Sequence, residues 1–438
     1  MTTVEKPSST QQDTPVIAVT HKRKYQLDER SLSVSSISST DGEDRDQLDE
    51  KLDNDSSASN SDSESDSNVQ LKKRKITTIV ETETTTTFTI PDKQSALVIT
   101  SFEEPFSVST THPVPSIEPH EVLIENKFIG LNPIDWKGKK YRFGVYSFPW
   151  VQGRESSGVI RAVGKDVEGF EVGDEVFMVS TSYRDLKTST FQKYTVFDGR
   201  LVWKKPESLE LKECGGIGVG LVTASSVMEE LDVGLFHEEV NETVKETPKK
   251  SILVWGGSSG VGSYVIQLAK VAGYEKIIAV SSPKHEEALK KIGATHVLDR
   301  FKSTEELKKE VGEIVPEGIQ DGVDVVGKQT TDIVVELLNE SKKPDDEKKL
   351  VAVVSGPSKD LDSKLLDGIS VKSVLIKKFH EDVAHGQRLV KRTYELLKAA
   401  EINPQKNIKL YNGVKGILKG LEDLEEFGAS NEKYVVEL

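Results

Sequence analysis

The stretch Lys249–Lys270, KKSILVWGGSSGVGSYVIQLAK, sets an apolar run directly against a cluster of small residues and follows it with a helical pattern. ILVW is apolar on both faces, as a central parallel strand must be. Val261, Val265, Ile266, Leu268 and Ala269 fall on core-facing positions of a helix. Between strand and helix lies Gly256-Gly257-Ser258-Ser259-Gly260-Val261-Gly262. Glycines there allow a tight turn, let backbone approach a pyrophosphate and let the helix pack on the strand. The helix N-terminus offers free N–H groups to an anion. Ser259 breaks a strict G-x-G-x-x-G, so the turn alone supports a plain strand-to-helix connection as well as a nucleotide cradle. Gly257, Ser258, Ser259, Gly260 and Val261 are the candidate cofactor-binding residues of this turn.

The following unit, KIIAVSSPKHEEALKKIGATHVLD, ends its strand at Ser281-Ser282. That is about 20 residues after the turn, where the adenosine ribose of a dinucleotide sits. An Asp or Glu there would hold a free 2′-hydroxyl and repel a 2′-phosphate. Ser281, Ser282, Lys284 and His285 stand there instead, which favours NADPH over NADH and makes Ser282 and Lys284 candidate cofactor ligands. Beyond this point apolar strands alternate with charged helices, predicting right-handed βαβ units and a doubly wound parallel sheet covered on both faces.

Upstream the pattern differs. SALVIT, EVLIENKFIG, SGVIRAVG and DEVFMV are short β-type runs between Pro and Gly turns, reading as a mostly-β domain. From Met1 to about Pro91, Ser, Thr, Asp, Glu and Lys dominate, which is the composition of a disordered tail. An acidic serine tract, DNDSSASNSDSESDSN, and the basic clusters His21–Lys24 and Lys72–Lys75 fall within it. The clusters leave nuclear import or weak contact with anionic lipid open as readings. The charged insert HEEVNETVKETPKK reads as a surface loop.

A net charge of −14 argues against binding nucleic-acid phosphate or a broad membrane surface. One cysteine, Cys214, excludes an intramolecular disulfide and any site needing two thiolates. No apolar run approaches the roughly 20 residues of a membrane span, and the polar N-terminus lacks a signal-peptide core, so a cytoplasmic protein is expected.

GLNPIDWK (Gly130–Lys137), PWVQGRESSGVIRAVGKDVEGFEVGDEVF (Pro149–Phe177), GVGLVTASSVM (Gly218–Met228), the glycine turn, SSPKHEEALKKIGATHVLD and the closing NEKYVVEL together resemble the medium-chain dehydrogenase/reductase superfamily, in its zinc-independent quinone oxidoreductase and enoyl reductase branch. The resemblance covers about Ser95 to Leu438. It implies an α/β fold, a GroES-like β-barrel domain that the chain leaves and re-enters around a Rossmann domain. The expected division is 1–92 tail, 93–220 first part of the barrel domain, 221–394 Rossmann domain and 395–438 return to the barrel. Zinc-dependent members carry a cysteine where this chain has Asn132-Pro133, and Gly-His-Glu where it has Gly153-Arg154-Glu155, so no metal is expected.

The resemblance further implies hydride transfer to a quinone, enone or carbonyl, with a side-chain donor holding the charge that develops on oxygen. Asn132 and Tyr146 are the catalytic candidates it suggests, Tyr141 being second to Tyr146. Thr223 corresponds to a threonine beside the nicotinamide. By the residues themselves, Tyr146 also suits an aromatic packed under a loop, Thr223 a helix-start hydroxyl, and Arg154-Glu155 a structural ion bridge. The turn at Val326-Gly327-Lys328 is shortened relative to the family. A second function therefore stays open: a barely catalytic adaptor, similar to fungal members with N-terminal extensions that deliver a plasma-membrane proton pump through lipid-raft association. Pairing into a homodimer through Val371–Phe379 is also implied by the resemblance.

Overall fold

In a computed structural model, residues 16–27, 78–182, 184–236, 250–340 and 348–438 are described. The acidic serine tract, Lys72–Lys75 and residues 237–249 of the charged insert lie outside them.

Within the segment that composition assigns to a tail, two stretches rich in β-branched residues are extended and paired. Val16–Leu27 (β1) and Thr78–Thr89 (β2) run antiparallel, with Val16 opposite Thr89 and Leu27 opposite Thr78. Thr, Val and Ile suit a pleated strand. The basic cluster His21–Lys24 lies inside β1. The segment Val16–Thr89 forms a unit of its own.

The unit from Ile90 onward begins with short strands. They are Lys93–Ile99 (β3), Ser107–Pro113 (β4) and Glu121–Gly130 (β5), then helix Pro133–Lys140 (α1). Trp150–Val151 (β6), Glu155–Val163 (β7), Glu175–Val179 (β8), Tyr194–Asp198 (β9) and Trp203–Lys204 (β10) follow. Helices Leu211–Cys214 (α2) and Gly218–Glu230 (α3) then lead out of this region.

The chain continues as a regular alternation. It runs Ser251–Trp255 (β11), Gly260–Val271 (α4), Lys276–Ser281 (β12), Glu286–Ile292 (α5), His296–Asp299 (β13), Thr304–Ile314 (α6), Asp321–Asp324 (β14), Lys328–Glu340 (α7), Lys348–Ala352 (β15) and Ile369–Ser373 (β16). Helices Lys378–Glu381 (α8) and Val383–Lys398 (α9) precede Ile408–Asn412 (β17), Gly413–Phe427 (α10) and Lys433–Glu437 (β18). Of the segment Val371–Phe379, only the start is strand; β16 is the sheet's edge and Phe379 already belongs to α8.

The strands β11 to β16 form a six-stranded sheet in the order β13-β12-β11-β14-β15-β16, parallel throughout. This is the doubly wound order of a dinucleotide-binding fold. The central strand shows why its sequence is uniformly apolar. Ile252 and Val254 join the core shared with α3, α4 and α9, whereas Leu253 and Trp255 join a separate core under α6 and α7. The early strands form a mixed sheet in the order β10-β8-β7-β5-β18-β17, with β9 also on β5, and a three-stranded sheet β4-β3-β6. Strands β17 and β18 enter the mixed sheet from the far end of the sequence, so the chain does leave and re-enter this domain.

One core spans both regions. Trp203 of β10 lies between Phe177 and Phe379, with ring centroids 5.1 and 5.5 Å away and near-parallel planes, and its Nε1–H donates to Thr393 Oγ1 of α9 at 2.9 Å.

The turn after β14 is organised by one carboxylate. Asp324 is fully buried and accepts from the N–H of Val326 and of Gly327, each at 3.1 Å, and from the hydroxyls of Thr330 at 2.9 Å and Thr331 at 2.6 Å. Gly327 takes φ +155, which explains a glycine in the shortened turn. Asp324→Ala would strand these donors; we expect a loss of about 3 kcal/mol, read as a lower urea midpoint at unchanged m-value.

Candidate cofactor and active site

The glycine turn joins β11 to α4 as its sequence requires, but its residues divide the work. Gly256 has φ +84, and a Cβ on Gly262 would stand 2.3 Å from the Gly256 carbonyl oxygen, so helix and turn are in direct contact. A Cβ on Gly257 would meet Ala279 of β12 at 2.9 Å and Ile266 at 3.1 Å; this glycine serves packing. A Cβ on Gly260 would meet nothing within 4 Å, leaving open the space in front of the helix N-terminus. Ser259 is the N-cap, its Oγ accepting from Gly262 N–H at 3.0 Å. Val261 is half-buried in the first turn. The site therefore has the elements of an anion cradle: a helix N-terminus, a capping serine and one glycine with an open face.

Ser258 points elsewhere. Its hydroxyl accepts from Ser281 Oγ at 2.9 Å and lies 3.0 Å from Ser430 Oγ, which lies 2.9 Å from His285 Nε2. The Ser258 carbonyl accepts from Asn431 N–H at 2.7 Å. Ser430 and Asn431 lie between α10 and β18, so the returning segment is bonded to the cradle. Sequence reasoning missed this contact, because nothing local in GASNEKYVVEL announces a partner so far upstream. Ser282 is half-buried where β12 ends, its carbonyl accepting from His285 N–H at 3.0 Å, and Lys284 is exposed beside it. Burial, then Lys284 and Arg300, lower the His285 pKa.

The second half of the site is built on Glu155, the first residue of β7, which has no exposed surface. One carboxylate oxygen accepts from Asn132 Nδ2 at 2.7 Å and pairs with Lys433; the other accepts from Val219 N–H, in the first turn of α3, at 2.7 Å. Lys433 also donates to Asn132 Oδ1 at 2.9 Å and to the Leu131 carbonyl at 3.0 Å. A cation paired with Glu155 is thus Lys433, the first residue of β18. With a carboxylate at its nitrogen and an ammonium at its oxygen, the Asn132 amide has one orientation only. One of its two N–H bonds is used on Glu155.

Thr223 lies in the middle of α3 rather than at its start, and its hydroxyl donates to the Val219 carbonyl at 2.6 Å. Asn132 and Thr223 are thereby tied to the same Glu155–Val219 contact. The cradle helix adjoins it: a Cβ on Gly220 of α3 would stand 3.1 Å from both the Gly260 carbonyl and the Tyr264 ring of α4. Burial, reinforced by the charge of Glu155, pushes the Tyr264 phenol well above its ordinary pKa. Tyr146 is not joined to this contact. It is 56% exposed, edge-on to Trp150 at 5.5 Å and under the Arg184 guanidinium at 5.0 Å. Tyr141 is also exposed, against Trp136.

Asp135 sits beneath Asn132, accepting its backbone N–H at 2.8 Å through Oδ2 while Oδ1 is buried without a partner. Burial, opposed by the nearby Arg154 charge, pushes its pKa from 3.8 to about 7.

Two family models match the chain. One described as the alcohol dehydrogenase GroES-like domain covers residues 118–207, and one described as zinc-binding dehydrogenase covers residues 260–381. The dehydrogenase pigH of Monascus ruber is 34% identical over 201 residues, 43% of this chain and 52% of pigH, so the match spans about half of that relative. The trans-enoyl reductase tazE of Aspergillus terreus is 31% identical over 214 residues, 47% of this chain and 68% of tazE. Among solved structures, the quinone oxidoreductase of Escherichia coli complexed with NADPH superposes with a TM-score of 0.62 at 17% identity, covering 79% of this chain and all of that one; this likeness is one of fold.

The chain belongs to the medium-chain dehydrogenase/reductase superfamily of oxidoreductases. It joins a GroES-like domain to a Rossmann domain. No helix among the described residues is long and apolar enough to cross a membrane.

Lys433→Met would leave the buried Glu155 charge without its cation. We expect a loss of about 3–5 kcal/mol, measured by urea unfolding, with Lys433→Arg recovering part of it. Asp135 supplies a pH signature. Its folded pKa exceeds its unfolded one, so the protonated group favours the fold below about pH 4, and that contribution disappears as pH rises towards about 7. Asp135→Asn should flatten the fall in unfolding free energy across that window.

Proposed function

We propose that the chain is an NADPH-dependent, zinc-independent reductase acting on an activated double bond, a quinone or a carbonyl. The observation that carries this reading is the adjacency of two sites on α3 and α4. The open face of Gly260 lies at the start of α4, and α3, packed on it through Gly220, begins on the Glu155 carboxylate that orients Asn132.

The residues fit a dinucleotide. The N-terminus of α4, with Gly260 and Val261, would face the pyrophosphate, and Gly257 and Ser259 shape that turn. Ser258, through Ser281, links it to the ribose position, where Ser282 and Lys284 favour the 2′-phosphate of NADPH. Thr223 lies on the side of Asn132, where the nicotinamide would rest. Bound NADPH supplies the hydride, and solvent the proton that completes reduction. The chain's contribution is electrostatic: the Asn132 N–H not used on Glu155 is held for the oxygen on which negative charge develops. Tyr146 is the candidate to line the outer rim of the substrate pocket. The Glu155 oxygens are committed to Asn132, Lys433 and Val219, which suits a site working without zinc. Relatives named as enoyl reductases and a quinone oxidoreductase of the same fold support this substrate class.

The test is NADPH oxidation with a panel of quinones and enones, followed by the absorbance of the reduced nicotinamide. Turnover with at least one acceptor is expected, falling about 100-fold or more in Asn132→Ala. Intact NADPH binding with no turnover across the panel would remove the enzymatic reading. Gly260→Val should abolish tight NADPH binding by filling the open face; unchanged affinity would show that the pyrophosphate lies elsewhere.

A further inference from the structure

Two segments that leave the Glu155 contact separately meet again at an exposed aromatic ring. One begins at Asn132, runs through α1 and returns to the sheet at Trp150, with Tyr146 on the way. The other leaves β8 after Val179, the residue opposite Glu155 in the pairing of β7 with β8. Its first residue, Ser180, donates its N–H to the Arg154 carbonyl at 2.6 Å. Its second, Thr181, is fully buried and hydrogen-bonded with His380 Nδ1 of α8 at 2.8 Å, so this segment starts where the mixed sheet meets the helices that follow the parallel one. The two segments touch where the Arg184 guanidinium lies 5.0 Å from the Tyr146 ring centroid, and Tyr146 rests edge-on against Trp150. Arg184 is exposed and has no ion pair among the described residues. The adjoining carboxylate is turned to other groups: Asp185 accepts from the Lys187 N–H at 3.2 Å and acts electrostatically on Lys187 and His380. Neighbouring cations are engaged, Lys187 with Glu121, Arg142 with Glu103 and Lys140 with Glu425.

We propose that Arg184 is a specificity residue of the substrate site, binding a carboxylate carried by the acceptor, so that the substrates are enones or quinones with an anionic group remote from the reducible bond. This rests on the reductase reading above and chooses within its substrate class. A guanidinium presents a planar fork of N–H donors that matches the two oxygens of a carboxylate. Stacking on Tyr146 occupies the face of that fork and leaves its edge to the anion, so the ring contact orients Arg184 without competing for it. The Tyr146 ring also offers a planar apolar surface to the conjugated part of such a molecule. A neutral acceptor would use the ring alone, and the charge of Arg184 would add nothing to its binding.

The experiment uses two pairs of acceptors that differ only in the anion: 4-carboxycinnamaldehyde with its carboxamide, and 3-(1,4-benzoquinonyl)propanoate with its methyl ester. Each is measured with the full chain, Arg184→Gln and Arg184→Lys, by NADPH oxidation and, without turnover, by calorimetric titration in the presence of NADP+. The wild type should favour the carboxylate of each pair. Arg184→Gln should raise KM and Kd of the carboxylates about tenfold relative to their neutral partners, with Arg184→Lys in between. A carboxylate preference that survives Arg184→Gln would overturn the assignment, as would equal weakening of both members of a pair. Turnover of both members with equal KM in the wild type would remove the anion site and leave the reductase reading standing. Carboxylate binding that depends on Arg184, with no turnover of any acceptor, would keep the anion site and remove the reductase reading.

Discussion

A buried carboxylate at the start of β7 determines how the two halves of the site meet. Glu155 has no exposed surface, and its oxygens hold the side chain of Asn132 before α1, the first turn of α3 and the ammonium of Lys433 at the start of β18. An unpaired carboxylate in that position would be costly, so the contacts are mutually required. Each partner belongs to a different segment of the chain. The pairing of β18 with β5 brings Lys433 to Glu155, and an N–H of the first turn of α3 meets the same group. The cradle inherits this placement, because α4 packs on α3 where Gly220 leaves room for the Tyr264 ring.

How much of this was legible in the sequence depended on distance along the chain. The β11 turn could be read because strand, glycines, cap and helix are contiguous, and the alternate burial of Ile252 and Leu253 on opposite faces is written in the unbroken apolar run. The doubly wound order followed from the repeated alternation. Asn132 was a candidate through its motif, but its fixed amide could not be read, since Lys433 becomes its neighbour only through the pairing of β18 with β5. The same holds for Ser430 and Asn431 on the cradle. The pairing of Glu155 with Lys433 was out of view for the same reason, since it too is made only when β18 joins the sheet.

Polar side chains that seemed equivalent in the sequence turn out to have distinct work. Of the serines around the turn, Ser259 closes the helix end, Ser258 and Ser281 bond to each other, and Ser430 continues that chain to His285. None of these hydroxyls carries charge, so the cradle is held in shape by neutral donors and acceptors while the helix N-terminus stays available to an anion. On the reading proposed above the division would matter for selectivity: the pyrophosphate would draw on backbone that every dinucleotide meets, and discrimination at the ribose would fall to side chains at the strand ends.

Charge distribution supports that separation. The chain carries a net −14, so a mobile polyanion meets repulsion over most of its surface. A small cationic edge stands out against such a background. Lys290 of α5 and Lys308 of α6 are paired with glutamates on their own helix, whereas among the described residues Lys284 and Arg300 have no such ion pair. A carboxylate at Ser281 or Ser282 would oppose the positive field at this edge.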